Sequence, residues 1–419
     1  MSDDHRNLPI VDPATLGGHG ENTRAVHHPA PAPLRQRPLG QPTYRTSAFV
    51  FDSMQEYADV LADEVSGYAY SRIDNPTADA FALGVAALEA VGGDRPVAAQ
   101  PFASGMAAIS TVFLALCRAG AHVVAPAAVY GGTYGVLRHV LARFEVEATF
   151  VDTTDAGAVA AALRDTTALV WAETIANPTT AVTDLPAIAA ICRDAGVPLA
   201  VDNTFASPAV CRPLQWGAAL VVHSATKYLG GHSDVTGGVV VGDVELVARV
   251  RAARIDLGGS LAPDEAFLLE RGLSTLPLRI ERHCSTAAAV AEAIADDVAV
   301  AAVDYPGLPR HPQHELAAKL FDSGPAGTRY GGILTVTPHG DRRAGVAFAD
   351  RLALGTVATS LGGVHTLVSH VASTTHRQLD DSALAAAGIR PAAVRISVGL
   401  EDPEDLVADI QRALSESQA

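Results

Sequence analysis

Apolar positions follow two rhythms along this chain. From residue 97, short apolar runs recur at 97–99, 122–125, 148–151, 168–172, 199–201, 219–223 and 239–241. Helix-length segments at 105–118, 132–143, 156–164 and 185–195 separate the first five runs. Runs this short and this uniformly apolar are strands buried on both faces, and their alternation with helices predicts a mainly parallel sheet of seven strands. Beyond Gly258-Gly259 the rhythm changes. Helical spacing appears at 263–273, 283–295, 341–352 and 404–415, and strand candidates at 332–336 and 395–398, which describes a smaller α+β domain. Earlier in the chain, helical spacing marks 52–66 and 77–91, whereas residues 1–43 are rich in Pro, His and Gly and carry no period. The expected organisation is an N-terminal arm (1–66), a large α/β domain (67–262) and a C-terminal domain (263–419).

Composition narrows what such a fold could do. With 30 basic and 46 acidic side chains the formal charge is −16, the wrong sign for a nucleic-acid surface. No run of eighteen apolar residues offers a membrane span, and Met1-Ser-Asp-Asp-His-Arg6 does not open like a signal peptide. The four cysteines form no Cys-x-x-Cys pair and fit reduced thiols, so a cytoplasmic protein is expected. Fifteen histidines show no His-Glu-x-x-His or Cys/His spacing, so no metal is expected.

In an open α/β sheet, ligands collect beyond the carboxyl ends of the strands. After the sixth run comes Ser224-Ala-Thr-Lys227, followed by the pairs Gly230-Gly231 and Gly237-Gly238. An amine beside two hydroxyls at a strand end suits a lysine that holds a phosphorylated aldehyde as a Schiff base; the alternative is a solvated lysine in a Gly-rich loop. Other strand ends supply what such a cofactor needs. Ser104-Gly-Met106 opens a helix whose N–H groups suit a phosphate, Tyr130 can stack on a flat ring, and Asn177 offers a donor and an acceptor. Asp202, behind an apolar run, needs a cationic partner such as a pyridinium nitrogen. A P-loop requires its glycines before the lysine, and a Gly-x-Ser-x-Gly elbow is missing.

These segments resemble the Cys/Met-metabolism (trans-sulfuration) family of pyridoxal-phosphate (PLP) enzymes from about Gly40 to Leu414. The likeness is carried by Tyr70-Ser-Arg-Ile-Asp-Asn-Pro-Thr77, Ser104-Gly-Met106, Tyr130-Gly-Gly-Thr133, Asp202-Asn-Thr204, Ser224-Ala-Thr-Lys-Tyr228, Ser360-Leu-Gly-Gly363, Ala372-Ser-Thr-Thr-His376 and Val394-Arg-Ile-Ser-Val-Gly-Leu-Glu-Asp402. It implies PLP fold type I, the aspartate-aminotransferase architecture, with PLP as cofactor. Lys227 would be the Schiff-base lysine and proton carrier, Asp202 the partner of the ring nitrogen, and Tyr130 a stacking group that could protonate the departing γ-substituent. Gly105 and Met106 N–H groups with the Ser224 and Thr226 hydroxyls would hold the phosphate, with Thr204 also at the cofactor. Asn177 would sit near the cofactor's 3-oxygen, and Arg395 would clamp the substrate carboxylate with help from the backbone at Ser360. Tyr70 and Arg72 would reach the phosphate of a neighbouring subunit, which implies a dimer with shared active sites, within a tetramer.

The implied reaction is γ-elimination or γ-replacement on a homoserine-derived or sulfur amino acid. Thr359 stands where cystathionine lyases often carry Glu, and Gly132 where methionine γ-lyases usually carry Cys. The motifs at 130–134, 173–178 and 372–379 are most similar to O-acetylhomoserine sulfhydrylases, while Gly231-His-Ser-Asp-Val235 is closer to the lyases. The sequence therefore leans to an O-acylhomoserine sulfhydrylase, with a methionine or cystathionine γ-lyase as the alternative. A PLP-binding regulator or scaffold without activity is a third reading, against which stand the retained lysine and aspartate.

Overall fold

The computed structural model describes residues 38–374, 377, 384 and 388–417. The elements below belong to the unit Thr43–Ala419. Seven strands form the larger sheet: β1 (Ala98–Phe102), β2 (His122–Pro126), β3 (Glu147–Val151), β4 (Thr167–Glu173), β5 (Leu199–Asp202), β6 (Leu220–Ser224) and β7 (Gly238–Gly242). Their order is β1-β7-β6-β5-β4-β2-β3; β7 runs antiparallel to both neighbours and the other contacts are parallel. The expected seven-stranded, mainly parallel sheet is therefore what the chain forms.

Side-chain alternation divides this sheet between two cores. Val170, Ala172, Val201, Val221 and Val241 pack on one face with Phe81, Leu185 and Ile188. Leu169, Trp171, Ala200, Leu220, Val222 and Val240 pack on the other with Phe113 and Leu137. Because both faces are covered, the strands read as unbroken apolar runs, and each fully buried valine contributes about 1.5 kcal/mol or more. The same parity continues past the apolar residues. Glu173, Asp202 and Ser224 fall on the Trp171 face, and His223 falls on the opposite one.

After β8 (Val300–Asp304) and the short hairpin partners β9 (Ser323–Gly324) and β10 (Gly327–Thr328) come β11 (Ile333–Pro338), β12 (Thr356–Val357), β13 (Leu367–His370) and β14 (Val394–Ser397). The smaller sheet has the order β12-β13-β14-β11-β8. Leu334, Val336, Val368, Val394 and Ile396 turn one face to Val290, Phe348, Leu406 and Ile410 of the covering helices. Arg395 and Thr335 alternate onto the other face, where the Thr335 hydroxyl donates to the Pro178 carbonyl, 2.7 Å.

Several elements differ from the sequence reading. The first strand reaches Phe102 through Gln100 and Pro101, since proline is tolerated on an edge strand. The segment 132–143 is not one helix: Gly131–Gly135 is followed by a π turn, Val136–Val140, and a 3₁₀ turn, Leu141–Phe144. The helix expected at 283–295 begins at Leu276, because Pro277 sits in the first turn where its missing N–H costs nothing. Helix Val244–Leu257 was hidden by its mixed charge, although Asp243 caps its start and Gly258, left-handed, ends it. Residues 1–37, Thr375 and His376 lie outside the described residues, as does most of the 372–379 motif's second half.

Candidate active site

The carboxyl ends of β4, β5 and β6 open side by side. Asp202 ends β5, and its Oδ1 accepts from the Thr204 N–H, 3.0 Å, while Thr204 Oγ1 accepts from the Ser224 N–H at the end of β6, 2.8 Å. One turn thus ties two strand ends together. Lys227 follows Ser224, and its Nζ donates to Ser360 Oγ, 2.8 Å. Burial first, and then the Arg395 guanidinium, hold the Lys227 amine below its ordinary value. Arg395, on β14, donates from Nη1 to Asn177 Oδ1, 3.2 Å, and from Nη2 to the Ser360 carbonyl, 2.9 Å. Burial pulls this guanidinium down to about 10, so it stays charged at neutral pH. Ser360 has φ 83°, a left-handed backbone that only glycine adopts freely, and so directs both its hydroxyl and its carbonyl into the cluster.

Residues of both sheets therefore meet in one constellation of Lys227, Ser360, Arg395 and Asn177. The lysine turn is held from outside by Arg279, which donates to the Tyr228 carbonyl, 2.8 Å, and to the Gly272 carbonyl, 2.7 Å. Gly231 has φ 73°, and a Cβ there would enter the Arg279 guanidinium, so this glycine of the motif is needed for both reasons. The Thr226 hydroxyl lies between Gly237 O, 3.3 Å, and Gly237 N–H, 3.0 Å, which fastens the second glycine pair to the lysine turn.

The helix Gly105–Leu116 points its N-terminus at the same place. Ser104 caps it by accepting from the Ala107 N–H, 3.1 Å, and the helical ladder leaves the Gly105 and Met106 N–H groups without an intrahelical acceptor. A Cβ on Gly105 would stand 2.6 Å from the Ser224 Cβ, so the helix start and the end of β6 close into a cradle that a side chain would fill. Tyr130 is 44% exposed, with its ring against Gly132 and Met106. Tyr70 and Arg72 are not joined to this cluster by any hydrogen bond among the described residues. Arg72 donates to the Ile255 carbonyl, 2.6 Å, and lies 5.9 Å over the exposed Tyr70 ring.

Two groups received no role from the sequence. Glu173 ends β4 directly beside Asp202 in register, and its Oε1 accepts from the Tyr130 N–H, 2.7 Å. Burial first, and then Asp202, push its carboxyl up to about 8; Asp202 is also raised by burial. On the opposite face, buried Glu89 pairs with His223, 2.7 Å, and accepts from Asn203 Nδ2, 3.2 Å, while Asn203 Oδ1 accepts from the Thr174 hydroxyl, 2.7 Å. For Glu173 the available signal was a polar residue immediately after an apolar run; Glu89, at the end of a helix, carried none.

The family model for Cys/Met metabolism PLP-dependent enzymes matches residues 22–415. The chain belongs to that family. It is therefore a PLP-dependent enzyme of trans-sulfuration chemistry acting on amino acids, with the type I architecture expected from its sequence. It is 42% identical over 379 residues to an L-methionine gamma-lyase of Porphyromonas gingivalis, covering 90% of this chain and 92% of the relative. A cystathionine gamma-synthase of Mycobacterium bovis is 39% identical over 402 residues, 95% of this chain and 97% of the relative. Among solved structures, one described as an O-acetylhomoserine (thiol)-lyase from Campylobacter jejuni, bearing pyridoxyl phosphate on a lysine, superposes with TM-score 0.85 at 31% identity, covering 91% of this chain and 96% of that one. No helix among the described residues is long and apolar enough to cross a membrane.

Proposed function

We propose that this enzyme eliminates an uncharged substituent from the γ-carbon of an α-amino acid, methionine being the substrate class tested first. The observation that carries the reading is the Lys227–Ser360–Arg395–Asn177 constellation together with Asp202, which combines a proton carrier, a clamp for a carboxylate and a carboxylate partner for a protonated ring nitrogen. The residues fit PLP: a glycine cradle at a helix start, a desolvated amine, and a carboxylate raised by burial with no ion-pair partner among the described residues. Gly105 and Met106 N–H with Ser224 and Thr226 would hold its phosphate, Thr204 would orient Asp202, and Asn177 would face the ring oxygen. When bound, PLP supplies an electron sink for the charge left at the substrate's Cα.

Arg395 would bind the substrate carboxylate in a bidentate pair, exchanging its present bonds to Asn177 and Ser360 for charged ones. Lys227 Nζ, kept below its usual basicity, would take the Cα proton, hand it on to the bound group and, neutral again, remove one from Cβ. Tyr130 would stack over the ring and give its phenolic proton to the leaving group. Tyr70 and Arg72 would complete the phosphate site of a second copy, so the active unit would be at least a dimer. Of an arm 1–66, a large domain 67–262 and a C-terminal domain 263–419, the large domain would hold the cofactor and the C-terminal domain would supply Arg395 and Ser360.

Exposed Thr359, next to Ser360, offers no charge to the distal ammonium of cystathionine. The relatives named methionine gamma-lyase favour elimination. The structural relative described as an O-acetylhomoserine (thiol)-lyase favours a second reading, replacement of an acyl group by sulfide. Incubation with methionine, O-acetylhomoserine, O-succinylhomoserine and cystathionine, each with and without sulfide, separates them. 2-Oxobutanoate from methionine without sulfide is the expected result. Homocysteine formed only with sulfide would establish the second reading, and inertness towards all four would refute γ-carbon chemistry.

A further inference from the structure

Tyr130 begins the turn Gly131–Gly135, and no side chain caps that turn from within. Its N–H is instead received by Glu173 Oε1, 2.7 Å away and 43 residues later in the chain. Glu173 is buried at 5% exposure, so this is a bond made in a low-dielectric setting where a lost acceptor is costly. Its neighbour in register is Asp202, on the same face of the sheet. Two adjacent carboxylates so placed cannot both be ionised at ordinary cost.

We propose that Glu173 is a positioning residue that sets the place of the Tyr130 ring over the site through the Tyr130 N–H, acting as a neutral carboxyl while Asp202 beside it carries the charge. The proposal rests on the role of Tyr130 given above. The division of charge follows from surroundings. Asp202, the less deeply buried of the two, is raised by burial, but it accepts from Thr204 and has His223 nearby, both of which favour its ionised form. Glu173 is the more deeply buried member, with burial and Asp202 both favouring the protonated form. A carboxyl oxygen that accepts one N–H needs no charge to do so, and an amide oxygen could replace it.

The test compares Glu173→Gln, Glu173→Leu, Tyr130→Ala and the double variant Tyr130→Ala/Glu173→Leu. Two quantities are read: the PLP dissociation constant of the apoprotein by absorbance titration, and kcat/KM of the holoenzyme. Glu173→Gln keeps the acceptor and should stay within about threefold of wild type in both. Glu173→Leu removes it and should worsen both by about tenfold or more. In the Tyr130→Ala background the same leucine should cost less than about twofold, because no ring remains to be placed.

Glutamine as damaging as leucine would overturn the neutral carboxyl. An equal cost of leucine in both backgrounds would overturn action through Tyr130. If Tyr130→Ala alone changes neither quantity, the role of Tyr130 fails and the positioning role falls with it. Should the leucine variant not fold, Glu173→Asp, which keeps the carboxyl but shortens the reach, must be worse than glutamine; the reverse order contradicts the proposal.

Discussion

Asp409, in the covering helix Pro403–Ser417 of the smaller sheet, and the pair Glu173–Asp202, at the mouth of the larger one, are buried carboxylates treated in opposite ways. Burial alone would raise Asp409, but the Leu354 and Ala353 N–H groups, 2.8 and 3.0 Å, and the Arg412 guanidinium, 2.5 Å, hold it below its ordinary value. Glu173, although the Tyr130 and Asn177 N–H groups oppose the shift, and Asp202, although Thr204 does, both remain raised because burial dominates. A carboxylate that serves the fold is satisfied by the fold; one that serves a bound group is left with capacity that only the group can use.

The contrast breaks most completely at Lys227, three residues beyond the end of β6. Lys227→Ala should reduce turnover on the order of 10³-fold or more while the far-ultraviolet circular dichroism of the protein is unchanged. Loss of folded signal instead would make Lys227 structural. Asp202→Asn keeps the shape and the bond from Thr204 but not the charge, and kcat should fall by about 10²-fold. An unaffected kcat would mean that the ring nitrogen has another partner. Arg395→Lys should raise KM by about tenfold or more with PLP affinity retained, since an ammonium lacks the planar fork; cofactor loss would reassign the residue.

Stability sharpens the same comparison with opposite signs in pH. Asp409 has a depressed value, so its contribution is present above the unfolded value of about 4 and is lost as pH falls. Relative to Asp409→Asn, the wild type should be more stable by about 1–2 kcal/mol at neutral pH, converging in acid, as urea titrations at several pH values would show. Glu173 has a raised value, so the folded state binds its proton more tightly than the unfolded chain. Relative to Glu173→Gln, wild-type stability should be highest below about pH 4.5 and decline as pH rises to about 8. A flat difference across that window would remove the basis for the contrast.

Lys227, Asp202 and Arg395 were legible in the sequence because each interrupts or follows an apolar run, and parity then fixes the face. Asn177 was legible for the same reason. What escaped the reading joins residues far apart. Glu89 and His223 are separated by 134 positions, and neither announces the other. Glu173 stood in a quoted motif, yet its partner is a backbone N–H, which has no side-chain signature. The break of 132–143 into π and 3₁₀ turns was illegible because Leu137 and Leu141 keep helical spacing while the backbone bonds between them change. Tyr70 and Arg72 were legible as a motif, although their proposed task lies on another copy of the chain.

The chain contains two lysines, Lys227 and the exposed Lys319, which makes the central assignment unusually easy to test. The PLP-loaded protein is reduced with borohydride, digested and mapped by mass spectrometry. The account predicts a pyridoxyl phosphate adduct on the peptide carrying Lys227 and none on that carrying Lys319. An adduct on Lys319, or none on either, would contradict it.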